Sequence, residues 1–156
     1  MPAPIGTIRH YRNEDAEACS LLLRTCLASG PFSPEAARQE IIRAETTAVM
    51  HKRAGLFYLA VHEIAGEITG IGGVDMNEIR LLAVHPDHRG SGIGTALLEH
   101  LESLVPPGLF RDIIIYAAPE AEGFYLARGY RAGGEVTIRS GNITLPAIFM
   151  TKRQQP

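Results

Sequence analysis

Between Glu78 and Leu104 the chain reads EIRLLAVHPDHRGSGIGTALLEHLESL, and this stretch restricts the fold more than any other. EIRLLAV is a strand apolar enough on both faces to lie centrally in a sheet. The loop HPDHRGSG leaves it and opens a helix from Gly92 to Leu104, with Ile93, Leu97, Leu101 and Leu104 along one side. A strand that passes through glycines into a helix requires a sheet with at least one helix on its face. The chain is therefore α/β in character.

The flanking segments extend this pattern. Ile5 to His10 reads as a short strand, followed by a helix capped by Asn13 with a buried stripe of Cys19, Leu22, Leu23 and Cys26. Gly30-Pro31 stops that helix, and Ser33-Pro34-Glu35 starts another that runs through Ile41 and Ile42 towards Met50. Strands are expected at Leu56–His62 and at Ile64–Val74, with a turn at Ala65-Gly66 and a loosening at Gly72-Gly73. After the central unit come a strand Arg111–Tyr116, a short helix Glu120–Arg128 and a final hairpin across Ser140-Gly141-Asn142. One strand–helix–strand unit within a hairpin-connected sheet predicts a mixed α/β fold, and 156 residues without a linker predict one domain over 1–156.

Composition narrows the function classes. Hydrophobic residues make up 46% and the net charge is −2, so neither nucleic acid nor an anionic membrane is called for, and no apolar run reaches the ~18 residues of a membrane span. The opening MPAPIGTIRHYR has no apolar core of a signal peptide. Cys19 and Cys26 lie seven residues apart on one helix, about 10 Å at ~1.5 Å per residue and too far for a mutual disulfide. These readings fit a reducing cytoplasm.

The loop itself carries chemistry. At a helix start the backbone N–H groups are unpaired and backed by the positive end of the helix dipole. Glycines let a ligand approach them, and Arg89 adds a cationic donor, so the place suits a phosphate. It is not a Walker A loop, because Thr95, Ala96 and Leu97 follow the glycines with no lysine. A dinucleotide fingerprint fails at its third glycine, where Thr95 stands, and Ile113-Ile114-Ile115-Tyr116 ends without a ribose-binding acid. His85 and His88 flank a proline and form no helical metal pair, so no metal is expected.

Here the chain resembles the GNAT superfamily of N-acetyltransferases. The resemblance rests on Arg89-x-x-Gly92-x-Gly94 and on Ala121-x-x-Phe124-Tyr125-x-x-x-Gly129-Tyr130, with Arg9 and the NEDAEA helix start fitting a weaker N-terminal pattern. It implies a mixed sheet of about six to seven strands flanked by about four helices. It further implies acetyl-coenzyme A as co-substrate, with Arg89, Gly90, Ser91, Gly92, Ile93, Gly94 and Thr95 around its pyrophosphate. Leu82, Ala83 and Val84 would lend their main chain to the pantetheine, on a strand that splays from its neighbour. The activity implied is direct acetyl transfer to a primary amine of a small molecule or a protein in a ternary complex, and a homodimer is compatible with the family. Tyr125 is then the candidate general acid and Glu78 the candidate base, with Glu78 expected on the same strand face as Arg80 and Leu82. The pattern departs at Ala118, where members often carry asparagine, so a non-catalytic acyl-coenzyme A binding or sensing module is the alternative.

Overall fold

The computed structural model describes residues 5–30 and 35–155. The Ser33-Pro34 helix start lies outside the described residues. Strand β1 spans Thr7–His10, and helix α1 spans Ala16–Ser29 after a 3-10 turn at Asn13–Asp15. Asn13 does not cap it. Instead the Asp15 carboxylate accepts the Arg12 N–H at 2.7 Å and two N–H groups of Arg9 at 2.8 and 2.9 Å. Hydrogen bonding from the Arg9 guanidinium holds the Asp15 carboxyl below its ordinary range.

The next helical stretch divides into α2, Glu35–Ala44, and α3, Thr47–Leu56. The break has a local cause. Thr46 is extended and its side chain accepts the Val49 N–H, while the Glu45 carbonyl accepts the Ser20 hydroxyl at 2.8 Å. There follow β2 Tyr58–Ile64, β3 Glu67–Asp75, β4 Glu78–Val84, α4 Ile93–Ser103, β5 Asp112–Ala117, α5 Glu122–Leu126, β6 Arg131–Ser140 and β7 Ile143–Arg153. Among the described residues the seven strands form one sheet in the order β1-β2-β3-β4-β5-β7-β6, parallel only between β4 and β5. The mixed sheet is as expected, and among the described residues there are five α-helices where about four are expected.

Buried side chains pack on both faces of the sheet. On one face α1 and α3 pack Cys19, Leu22, Leu23 and Met50 against Leu59, Val61 and Ile71. On the other, α4 packs Leu98 and Leu101 against Val74, Ile79, Ile113, Ile115 and Met150. Within α4, Leu98 takes the buried place expected of Leu104, which ends the helix largely exposed. Of the Gly72-Gly73 pair expected to loosen β3, Gly73 lies at the register shift towards β4, whereas Gly72, like Gly70, faces α4. An added Cβ at Gly70 or Gly72 would stand 2.8 Å from a leucine methyl of α4, Leu97 or Leu101, so these two glycines let the helix lie close to the strand.

The pairing of β4 positions the site. Towards β3, Ile79 pairs with Val74 and Leu81 with Gly73, which leaves Arg80 as the extra residue of a bulge. Towards β5, only Glu78 with Ile114 and Ile79 with Ile115 are paired. Beyond Ile79 the two parallel strands part, and a cleft opens at the C-terminal end of β4.

Candidate active site

The cleft is a cavity of about 670 Å³. Its walls come from the end of β4, the loop and first turn of α4, Cys26 of α1, and the segment from Ala118 to Arg128. Of the cofactor residues expected from sequence, Leu82, Ala83, Val84, Arg89, Gly90, Gly92, Ile93, Gly94 and Thr95 all line it. Ser91 does not, because its hydroxyl turns back to donate to the His88 carbonyl.

The loop is shaped by two left-handed glycines, Gly90 at φ +79° and Gly92 at φ +89°, a conformation that a Cβ strains. Gly92 caps α4 without a side chain, and the first helical bond runs from the Ala96 N–H to the Gly92 carbonyl at 3.0 Å. The N–H groups of Ile93, Gly94 and Thr95 therefore have no partner within the helix, and all three residues line the cavity. Arg89 directs Nε to the Val84 carbonyl at 3.3 Å, and Cys26 donates its Sγ–H to the same oxygen, also at 3.3 Å. Backbone donors, a guanidinium and glycines with no obstructing side chain together fit an anionic pyrophosphate. Cys26, expected as plain core, is half-buried, and burial pushes its thiol up.

Tyr125 is 5% exposed and lines the cavity, between Phe124 at 5.0 Å and Tyr130 at 5.5 Å, both edge-on. Among the described residues its hydroxyl makes no hydrogen bond. Burial raises its pKa well above that of free tyrosine, so it is a protonated donor at neutral pH. Gly94 has a neighbour to match: a Cβ there would meet the Phe124 ring at 3.4 Å. The ring of Phe124 in turn carries Arg128, whose guanidinium carbon sits 3.7 Å from its centre.

Glu78 lies apart from the cavity lining and pairs with Arg80 at 2.9 Å. The bulge changes the facing expected from simple alternation. Arg80 sits over Phe57 on the α1–α3 side, with Asp75 at 3.5 Å, whereas Leu82 packs with the α4 core. Glu78 thus shares a face with Arg80 but not with Leu82. Sequence reasoning passed over Cys26, His88, Glu120 and Arg128 as lining residues. Arg128 stands three residues beyond Tyr125, just past the end of α5, where the sequence alone gives it no role.

Among the described residues no group of three or more His, Cys, Asp or Glu is placed to hold a metal ion, and no helix is long and apolar enough to cross a membrane. A family model described as an acetyltransferase (GNAT) domain matches residues 11–152. A curated acetyltransferase of Sodalis glossinidius is 36% identical over 100 residues, covering 61% of this chain and 63% of that protein. The chain covers less than two thirds of the length of the curated relatives it matches. A GCN5-related N-acetyltransferase from Rhodopseudomonas palustris superimposes with a TM-score of 0.90 at 24% identity, over 99% of both chains. The PaiA N-acetyltransferase of Thermoplasma acidophilum, solved in complex with coenzyme A, superimposes with a TM-score of 0.75 at 17% identity, over 95% of this chain and 98% of that one.

Proposed function

The chain belongs to the GNAT acetyltransferase family, and from that membership we propose that it transfers an acetyl group from acetyl-coenzyme A to a primary amine by direct attack. The observation that carries this reading is the cleft, in which a cradle of helix-start amides and a protonated tyrosine share one cavity beside a splayed strand. In this reading the amides of Ile93, Gly94 and Thr95, with Arg89, hold the pyrophosphate. The main chain of Leu82 to Val84, free of a partner on the β5 side, pairs with the pantetheine, and a strand N–H there polarises the acetyl carbonyl. Bound in this way, acetyl-coenzyme A supplies the activated thioester.

Glu78 takes a proton from the amine through water, on the α1–α3 face, while Tyr125 donates to the departing sulfur from the α4–α5 face. The nitrogen–carbon bond forms as the carbon–sulfur bond breaks, giving the N-acetylated amine and free coenzyme A without an acyl-enzyme. One domain carries both sites, and the work is done in the cytoplasm. Ala118, which has no side-chain amide to offer the pantetheine, favours the second reading, a module that binds acyl-coenzyme A without turning it over.

Release of free coenzyme A, followed with a thiol reagent across a panel of primary amines, tests the two. Steady release that depends on one amine class supports transfer. Tight cofactor binding with no release above solvent hydrolysis across amino acids, polyamines and peptide N-termini would replace it with the binding module.

A further inference from the structure

Arg128 is held as a rigid donor. Its Nε donates to the Thr95 hydroxyl at 2.8 Å, its Nη1 donates to the Phe124 carbonyl at 2.7 Å, and the guanidinium carbon sits 3.7 Å from the centre of the Phe124 ring. These contacts engage Nε and Nη1, and among the described residues Nη2 has no partner. Among the described residues Arg128 has no carboxylate partner, and neither has Arg89. They are the two arginines that line the cavity, no lysine lines it, and the one carboxylate there, Glu120, pairs with neither. Two uncompensated guanidiniums in one cavity point to two anionic centres in the ligand.

The two arginines are not equivalent. Arg89 belongs to the loop whose amides form the pyrophosphate cradle. Arg128 stands on the other wall, against Thr95 at the flank of α4, and is braced from α5. Coenzyme A has a second anionic centre, the 3′-phosphate of its ribose, and the three helix-start amides are already given to the pyrophosphate in the reading above. We propose that Arg128 binds that 3′-phosphate, so that the site selects coenzyme A over its 3′-dephospho form. The inference rests on the acyl-coenzyme A reading above and adds a specificity-determining residue to it.

Calorimetric titration of the whole chain with coenzyme A and with 3′-dephospho-coenzyme A tests it, and the readout is the ratio of the two affinities. The native protein should prefer coenzyme A by at least about tenfold, and Arg128→Gln should bring that ratio to within about twofold while its affinity for the dephospho form stays unchanged. Thr95→Val, which keeps the guanidinium but removes its Nε anchor, should lower the ratio part of the way; it also carries the test should Arg128→Gln fail to fold. A ratio that neither variant moves overturns the assignment. So does an equal loss of both ligands in Arg128→Gln, since that would put Arg128 on a part they share. A native protein that binds both ligands equally overturns this inference alone. One that binds neither removes the acyl-coenzyme A reading as well.

Discussion

At the scale of single residues, the chemistry depends on which groups are held protonated and which are free to move a proton. The Tyr125 ring is locked edge-on between two aromatics, so Tyr125→Phe should keep the packing and delete only the donor. The kcat should fall by about 10²–10⁴-fold with cofactor affinity nearly unchanged, and a change within about twofold, with chemistry limiting, would remove the role. Glu78→Gln separates a base from an ion-pair partner. As a base, the variant loses rate at neutral pH and regains part of it at higher pH, where more of the amine is already neutral. As a partner of the half-exposed Arg80 alone, it costs at most about 1 kcal/mol of stability and leaves the pH–rate profile in place. His62 is a titratable group outside the site. It is 1% exposed, its Nδ1 lies 2.6 Å from the Thr69 hydroxyl, and burial, then repulsion from His88, lowers its pKa. It is therefore neutral in the fold, while the unfolded chain takes up a proton near its ordinary value of 6.5. The stability that follows is complete above that pH and is lost as the pH falls below it. Melting temperatures measured at about pH 7.5 and about pH 5 should differ more for the native protein than for His62→Gln; equal differences would mean that His62 is not held neutral.

At the scale of elements, the loop and first turn of α4 form the unit to which the proposed reading assigns the cofactor. Gly92→Val would force a branched residue into φ +89° at the cap of α4, on the lining of the cavity. Coenzyme A affinity should drop at least about tenfold while the far-ultraviolet circular dichroism of the chain is kept, and an unchanged affinity by calorimetry would remove the loop from the site. This element was legible in the sequence because it is local: β4 runs over Glu78–Val84 as read, and the glycines mark the turn into α4. The final hairpin was legible for the same reason, since Gly141 at φ +61° sits in the turn it announces. What escaped depends on partners distant in sequence. The bulge at Arg80 is set by how Gly73 and Val74 pair, and nothing in EIRLLAV marks it. The break between α2 and α3 has no glycine or proline, and turns on a Ser20 hydroxyl 25 residues away. Arg128 shows no role until α5 is folded against Thr95.

At the scale of the whole molecule, the sheet consists of two halves, β1 to β4 and β5 to β7, that share only two backbone pairs. Packing and several polar ties supply the rest of the connection: Asn77 donates its Nδ2–H to the Asp112 carbonyl at 2.9 Å, and Arg128 reaches Thr95 as described above. Glu102 of α4 accepts the Tyr130 hydroxyl at 2.8 Å and the Lys152 ammonium of β7 at 3.1 Å, which fastens the helix to the far half. The cleft lies along the seam, so a ligand there touches β4 and α4 on one side and the Ala118–Arg128 segment on the other. Acetyl-coenzyme A should then act as a cross-brace. At a concentration of about 100 times Kd the linkage is worth about 2.7 kcal/mol, which at about 2–4 °C per kcal/mol for a chain of this size predicts a rise in Tm of about 5–10 °C. Any ligand of the native state raises Tm, so the distinguishing measurement is where amide exchange slows. A brace across the seam protects Leu82–Val84 and Ile93–Thr95 together with Ala117 through Tyr125, and leaves the exposed edge strand β6 as it was. Protection confined to the first turn of α4 would mean that the ligand rests on one half only, and the seam would then have no part in binding.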